Sequence, residues 1–167
     1  LLLLANAQWG GEEVYVDLYR AAMSDGDAGV RISAIKALGL HGTPQDAPAI
    51  AAELDDPDRL VRWASAQSLQ RIHAPEVVPA LLGRLDPSVE TDFDVRAACA
   101  VALGQYAENR VLDGLIGSLN DPNLLVNVSA AESLKTLTGH DGGQDVRARV
   151  AWVKGTSCSL STSPSPR

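Results

Sequence analysis

Apolar residues return along this chain at a helical interval. Four stretches align without gaps: Val30 to Gly42 (VRISAIKALGLHG), Val61 to His73 (VRWASAQSLQRIH), Val95 to Ala107 (VRAACAVALGQYA) and Val126 to Thr138 (VNVSAAESLKTLT). Their first residues lie 31, 34 and 31 positions apart. Each stretch has a small residue in its fifth place (Ala34, Ser65, Cys99, Ala130) and Leu in its ninth (Leu38, Leu69, Leu103, Leu134). Ile72, Tyr106 and Leu137 carry the row onward in the last three copies. Places one, five and nine fall on one stripe of an α-helix, so each stretch predicts an amphipathic helix with that stripe buried.

A second apolar-periodic run precedes each of these helices: VYVDLYRAAMSD (14–25), DAPAIAAELDD (46–56), PEVVPALLGRLD (75–86) and NRVLDGLIGSLND (109–121). The connecting turns are rich in Asp, with Pro in three of them and Gly in the first, which marks helix ends. Each unit is therefore a helical hairpin, at about 13–42, 45–73, 75–108 and 109–139. One hairpin cannot bury its apolar face alone, so the units must stack. The fold class expected is all-α: an α-solenoid of about four stacked hairpins spanning 11–154.

The Asp-Pro-Asp turn followed by Val-Arg-x-x-Ala-x-x-(Ala/Ser)-Leu resembles the HEAT repeat, in the bacterial form shared with phycobilin-lyase-type proteins. The resemblance covers residues 13–139 and implies a helical scaffold. The last stretch, LTGHDGGQDVRARVAWVK (137–154), is similar to the closing segment of bacterial HEAT-repeat proteins. There a capping helix at 144–154 is expected, with Asp145 as its N-cap and Val146, Val150 and Val153 on its apolar side. The Ser/Thr/Pro-rich tail 155–167 lacks core-forming residues and is expected to be disordered.

Composition narrows the function classes. Aromatics are only 4 %, so Ala and Leu supply the core, which suits close helix packing. A net charge of −7 opposes nucleic acid as the main partner, because phosphate binding needs a basic patch. No stretch approaches the ~18–20 apolar residues of a membrane span. Cys99 and Cys158 form no Cys-x-x-Cys and pair with no His, so no zinc site or other metal is expected. His41, His73 and His140 belong to no His-Glu pair, and neither Gly10-Gly11 nor Gly142-Gly143 lies in a phosphate loop. With no nucleophile beside a base, no catalytic residue and no cofactor is expected. The reading is a non-enzymatic scaffold for a protein or peptide partner. The alternative, which the resemblance implies, is a phycobilin-lyase-like factor for tetrapyrrole attachment.

Two sets of positions carry candidate roles. Asp27, Asp58, Asp92 and Asn123 stand four residues before Arg31, Arg62, Arg96 and Asn127. The acids are placed to cap their helices, and the i,i+4 spacing lets each meet the basic residue one turn on. The joint change to Asn in the fourth copy points to a structural ladder within or between repeats. In a HEAT-like stack the second helix of each hairpin lines the concave surface. Places three, seven and ten of the aligned stretches face away from the core stripe. The candidate partner-binding stripe is Ile32, Lys36, Trp63, Gln67, Gln70, Val101, Val128 and Glu132, with Trp63 as its aromatic anchor. The longer third turn gathers Asp86, Glu90, Asp92 and Asp94, expected to be a solvated insertion.

Residues 1–10 stand outside the repeats. Leu1–Leu4 followed by Ala5-Asn6-Ala7 match the end of an apolar h-region and a small-x-small cleavage pattern, the remnant of a signal peptide. On that reading the protein is exported, to a periplasm or beyond; on the other, an apolar N-terminal helix packs over the first repeat and the protein is cytoplasmic.

Overall fold

The computed structural model describes residues 1–6 and 10–139; the expected cap at 144–154 and the tail at 155–167 lie outside them. Among the described residues the regular structure is helical throughout. The helices are α1 (Leu2–Ala5), α2 (Glu13–Ala22), α3 (Ala28–His41), α4 (Ala47–Ala52), α5 (Arg59–Leu69), α6 (Val78–Gly83), α7 (Phe93–Leu103), α8 (Asn109–Ser118) and α9 (Leu124–Thr138). Hairpins α2–α3, α4–α5, α6–α7 and α8–α9 stack in chain order. The second helices α3, α5, α7 and α9 pack side by side as one layer, and each first helix lies against its own partner as the other. This is an α-solenoid.

Every second helix starts on a side-chain cap. Asp27 Oδ1 accepts from the Gly29 and Val30 N–H groups at 2.7 and 3.1 Å. Asp58 does the same for Leu60, Asp92 for Asp94 and Val95, and Asn123 for Leu125. These bonds satisfy donors that no helix can satisfy internally. The first helices of hairpins two and three differ from the continuous runs the periodicity predicts. Each opens with a 3₁₀ turn (Pro44–Asp46, Pro75–Val77) and continues as a six-residue α-helix. Pro48 and Pro79 explain the break: a proline without an N–H fits only the first turn of a helix, so a new helix begins around each. At the far end Gly139 adopts a left-handed φ of 66° and donates its N–H to Lys135 O, closing α9 in a conformation that suits glycine.

The core follows the stripe. Leu38, Leu69, Leu103 and Leu134 are at most 1 % exposed, and Ala34, Ser65, Cys99 and Ala130 are fully buried. Burial in the core cluster pushes the Cys99 thiol up to about 12. The joints between second helices alternate in construction. Ser68 donates to Ile35 O and Ser133 to Ala100 O, at 3.0 and 2.9 Å. A Cβ on Gly39 would lie 2.7 Å from Ser68 Oγ, and one on Gly104 2.9 Å from Ser133 Oγ, so α3–α5 and α7–α9 approach through glycine. Between α5 and α7 the equivalent of that glycine is Gln70, which donates to Ala98 O at 3.2 Å instead. Gln105 reaches back across the same joint to Leu69 O at 2.9 Å.

Residues 1–6 are packed onto this array. Leu2–Ala5 form a helical turn against α3, with Ala5 only 2 % exposed. The His41 ring lies 2.5 Å from Ala5 O through Nε2; a carbonyl only accepts, so Nε2 carries the proton. Tyr19 donates its hydroxyl to Gly10 O at 3.1 Å. The proposed cleavage point after Ala7 falls at the undescribed residues 7–9.

Candidate functional site

The basic residues expected to form the ladder take their carboxylate partners from the next repeat, not from their own. Arg31 makes a bidentate contact with Asp56, Nε to Oδ2 at 2.9 Å and Nη2 to Oδ1 at 3.1 Å. Arg62 grips Glu90 at 2.7 and 3.0 Å, and Arg96 grips Asp121 at 2.8 and 2.9 Å. The remaining nitrogen of each, Nη1, donates to two carbonyls of its own entry turn: Asp25 and Gly26, Asp56 and Pro57, Glu90 and Thr91. Each guanidinium thus fastens its own turn to the next. The i,i+4 acid is not its partner, because that carboxylate (Asp27, Asp58 or Asp92) is turned onto its helix N-terminus.

The acids that hold the arginines are Asp56, Glu90 and Asp121, each two residues before a cap. Each also accepts the cap residue's own N–H, from Asp58, Asp92 and Asn123 at 2.7, 2.9 and 2.8 Å. Asp25 does this for Asp27 in the first repeat. Glu90 corrects the expectation of a solvated insertion in the third turn. Pro87–Val89 are exposed, but Glu90 is 1 % exposed and sits under Arg62. Asp86 is bound by Ser88, Asp92 caps α7, and among the described residues no His/Cys/Asp/Glu group is arranged to hold a metal ion. In the fourth repeat Asn127 is too short for the same reach and donates to Leu119 O at 2.9 Å.

The ladder carboxylates set an acid limit on stability. Burial alone would raise the Glu90 and Asp121 carboxyls, but the facing guanidinium and the cap N–H outweigh it and hold both below their ordinary values. A carboxyl lowered in the folded state gives stability that is complete above its unfolded pKa and lost as pH falls through the folded one. With unfolded values of about 4.3 for Glu and 3.9 for Asp, the melting temperature should be insensitive to these groups near neutrality. It should fall once the pH passes below about 4. Thermal melts of wild type and Glu90→Gln across that range check this: the variant starts lower and falls less.

The candidate binding stripe is partly open. Val101 and Val128 are 42 and 44 % exposed, and Glu132 is exposed. Ile32 and Trp63 are half-buried against the core, and the Lys36 ammonium lies over the Trp63 ring, 5.6 Å from its centroid. Gln67 is half-buried on the same face. Gln70 is committed to Ala98 O and serves the joint between repeats. Ala97, the third-place residue of α7, is 5 % exposed, too small to reach out of the layer. Sequence reasoning missed Phe93 and Leu124, 42 and 76 % exposed. They stand four residues before Ala97 and Val128, so extending the same face back one turn finds them. Phe93 and Val101 on α7, with Leu124 and Val128 on α9, make an exposed apolar row across neighbouring second helices. The two described histidines have structural contacts: His41 with Ala5, and His73 stacked on Tyr106 at 4.9 Å.

Stacked hairpins with capped, Arg-bridged second helices define a helical-repeat protein. The HEAT repeats family model matches residues 2–69, 16–91 and 47–135, so the chain belongs to the HEAT-repeat family. The first match takes in α1 together with the first two hairpins. No curated protein matches the chain.

Proposed function

We propose that this protein is a non-enzymatic scaffold that binds a protein or peptide partner on the face of its second helices. HEAT repeats generally mediate protein–protein interaction. The observation that carries the reading is the apolar row Phe93, Val101, Leu124 and Val128, exposed where a merely solvated face would be polar. Trp63, braced by Lys36, is the aromatic anchor beside it. Trp63→Ala should weaken partner capture from extracts of the native host about tenfold or more, a loss of ~1.4 kcal/mol or more. Thermal stability should change little, because the ring is only half-buried. A large loss of stability with capture unchanged would make Trp63 a core residue and overturn its role as anchor.

Export turns on one bond. Cleavage after Ala7 would strip away α1 and uncover the surface it shares with α3, whereas the retained helix keeps the His41–Ala5 contact. N-terminal sequencing of the chain from its host, starting at Gln8 or upstream of it, decides between an exported and a retained form.

A further inference from the structure

Seven of the described arginines (Arg20, Arg31, Arg59, Arg62, Arg84, Arg96, Arg110) make an ion pair with a carboxylate. Among the described residues Arg71 pairs with no carboxylate, and Lys36 contacts the Trp63 ring without one. Both line one cavity of about 340 Å³ where the ends of α3 and α5 meet α1. That volume lies within the range of binding pockets, ~300–1,000 Å³. Leu2 and Leu40, 37 and 44 % exposed, give it an apolar wall, and Gln67 contributes an amide that bonds to no described residue. Among the described residues no Asp or Glu lines it, although the chain carries a net charge of −7. A helix C-terminus favours a nearby cation, which accounts for Arg71 at the end of α5. It does not account for a second cation with no described carboxylate partner, Lys36 from the neighbouring repeat, in the same cavity.

We infer that this cavity receives an acidic side chain of the partner, carried on a peptide segment with an aliphatic residue beside it. Lys36 and Arg71 meet the carboxylate, Gln67 hydrogen-bonds the segment's backbone, and Leu2 and Leu40 take the aliphatic neighbour. The inference rests on the scaffold reading and names the chemistry of what the scaffold holds. The acidic remainder of the protein repels such a segment elsewhere, so the charge pattern favours this one place.

The test uses the full chain and three dye-labelled heptapeptides read by fluorescence anisotropy. One is Gly-Ser-Leu-Glu-Leu-Ser-Gly with both ends blocked, and the second replaces its Glu by Gln. The third is the Gln peptide with a free C-terminus. The Glu peptide should bind at least tenfold more tightly than the Gln peptide and weaken as salt is raised. Arg71→Gln should lose at least tenfold of that affinity with an unchanged thermal melt, and Arg71→Lys should recover part of it. Lys36→Gln, assayed alone, should weaken binding in the same direction. Equal binding of the Glu and Gln peptides, binding unaffected by Arg71→Gln, or no binding at millimolar peptide would overturn the inference. Preference for the free C-terminus would overturn the assignment to an internal acidic side chain. The scaffold reading is measured separately, at Val101 and Val128, which do not line this cavity.

Discussion

Arg96→Ala should cost about 3–5 kcal/mol, the loss typical of breaking one partner out of a buried ion pair. The side chains of Arg96 and Asp121 are only 4 and 2 % exposed, and four hydrogen bonds end on this guanidinium. Truncation leaves the Asp121 carboxylate buried with the Asn123 N–H as its remaining bond, and releases the carbonyls of Glu90 and Thr91. A domain of ordinary stability has only ~5–15 kcal/mol in total. In a repeat array the damage should also be local, because stability is a sum of units and the interfaces between them. Urea unfolding should therefore show the α8–α9 hairpin melting ahead of the rest, by hydrogen exchange at its amides. Arg59→Ala is the contrast. Its pair with Asp92 is 3.3 Å long and Arg59 is 58 % exposed, so about 1 kcal/mol or less is expected. An Arg96→Ala protein as stable as wild type would remove the ladder from the account. The double variant Arg96→Ala/Asp121→Ala should recover part of the loss, since it removes the stranded charge as well.

Leu103→Ala should cost about 2–5 kcal/mol, while Val101→Ala, two residues away on the same helix, should stay within about 0.5 kcal/mol. Leu103 is 0 % exposed and Val101 is 42 % exposed, so the pair compares the core face of α7 with its open face. Deleting Leu103 leaves a cavity between α7 and its neighbours that close-packed Ala-rich helices cannot collapse to fill. Chemical denaturation of the two variants measures this. Similar losses at both positions would mean that the face carrying Val101 is packed against something and is not available to a partner.

The core was legible in the sequence because helical period and burial are the same information. Places five and nine are buried in all four second helices, and place one in three of them, Val30 being only half-buried. The caps were legible too, from Asp or Asn ahead of each stretch. The arginine partners were not. The i,i+4 rule describes an isolated helix, whereas here a long side chain leaves its helix sideways and finds a turn 25 or 28 residues on. Glu90 was hidden further because it is Glu where the other turns have Asp, and because the three-residue insertion parts it from the Leu85-Asp86-Pro87 run that follows its first helix. The rule that recovers it is an acid two places before each cap, present at Asp25, Asp56, Glu90 and Asp121.

The binding face was half legible for a similar reason. Counting 100° per residue separates outward from inward positions, but it does not say how deep a small residue lies once two helices meet. Ala97 sinks between them, and Gln70 is drawn into the joint that glycine closes elsewhere. Phe93 and Leu124 lie just before the aligned stretches and were lost at their edge. A run that matches the close of an h-region is, in the structure, a helical turn with Ala5 buried against α3.

Photo-crosslinking of the full chain in its host tests the central claim, that the second-helix face is the one that binds. A photoreactive amino acid placed singly at Val101 and Val128 should give discrete protein adducts that vanish without irradiation. The same residue at the exposed positions Ala80 on α6 and Asp113 on α8, in the layer of first helices, should give none. Adducts from Ala80 and Asp113, with none from Val101 and Val128, would contradict the account and put the binding surface on the opposite side of the solenoid.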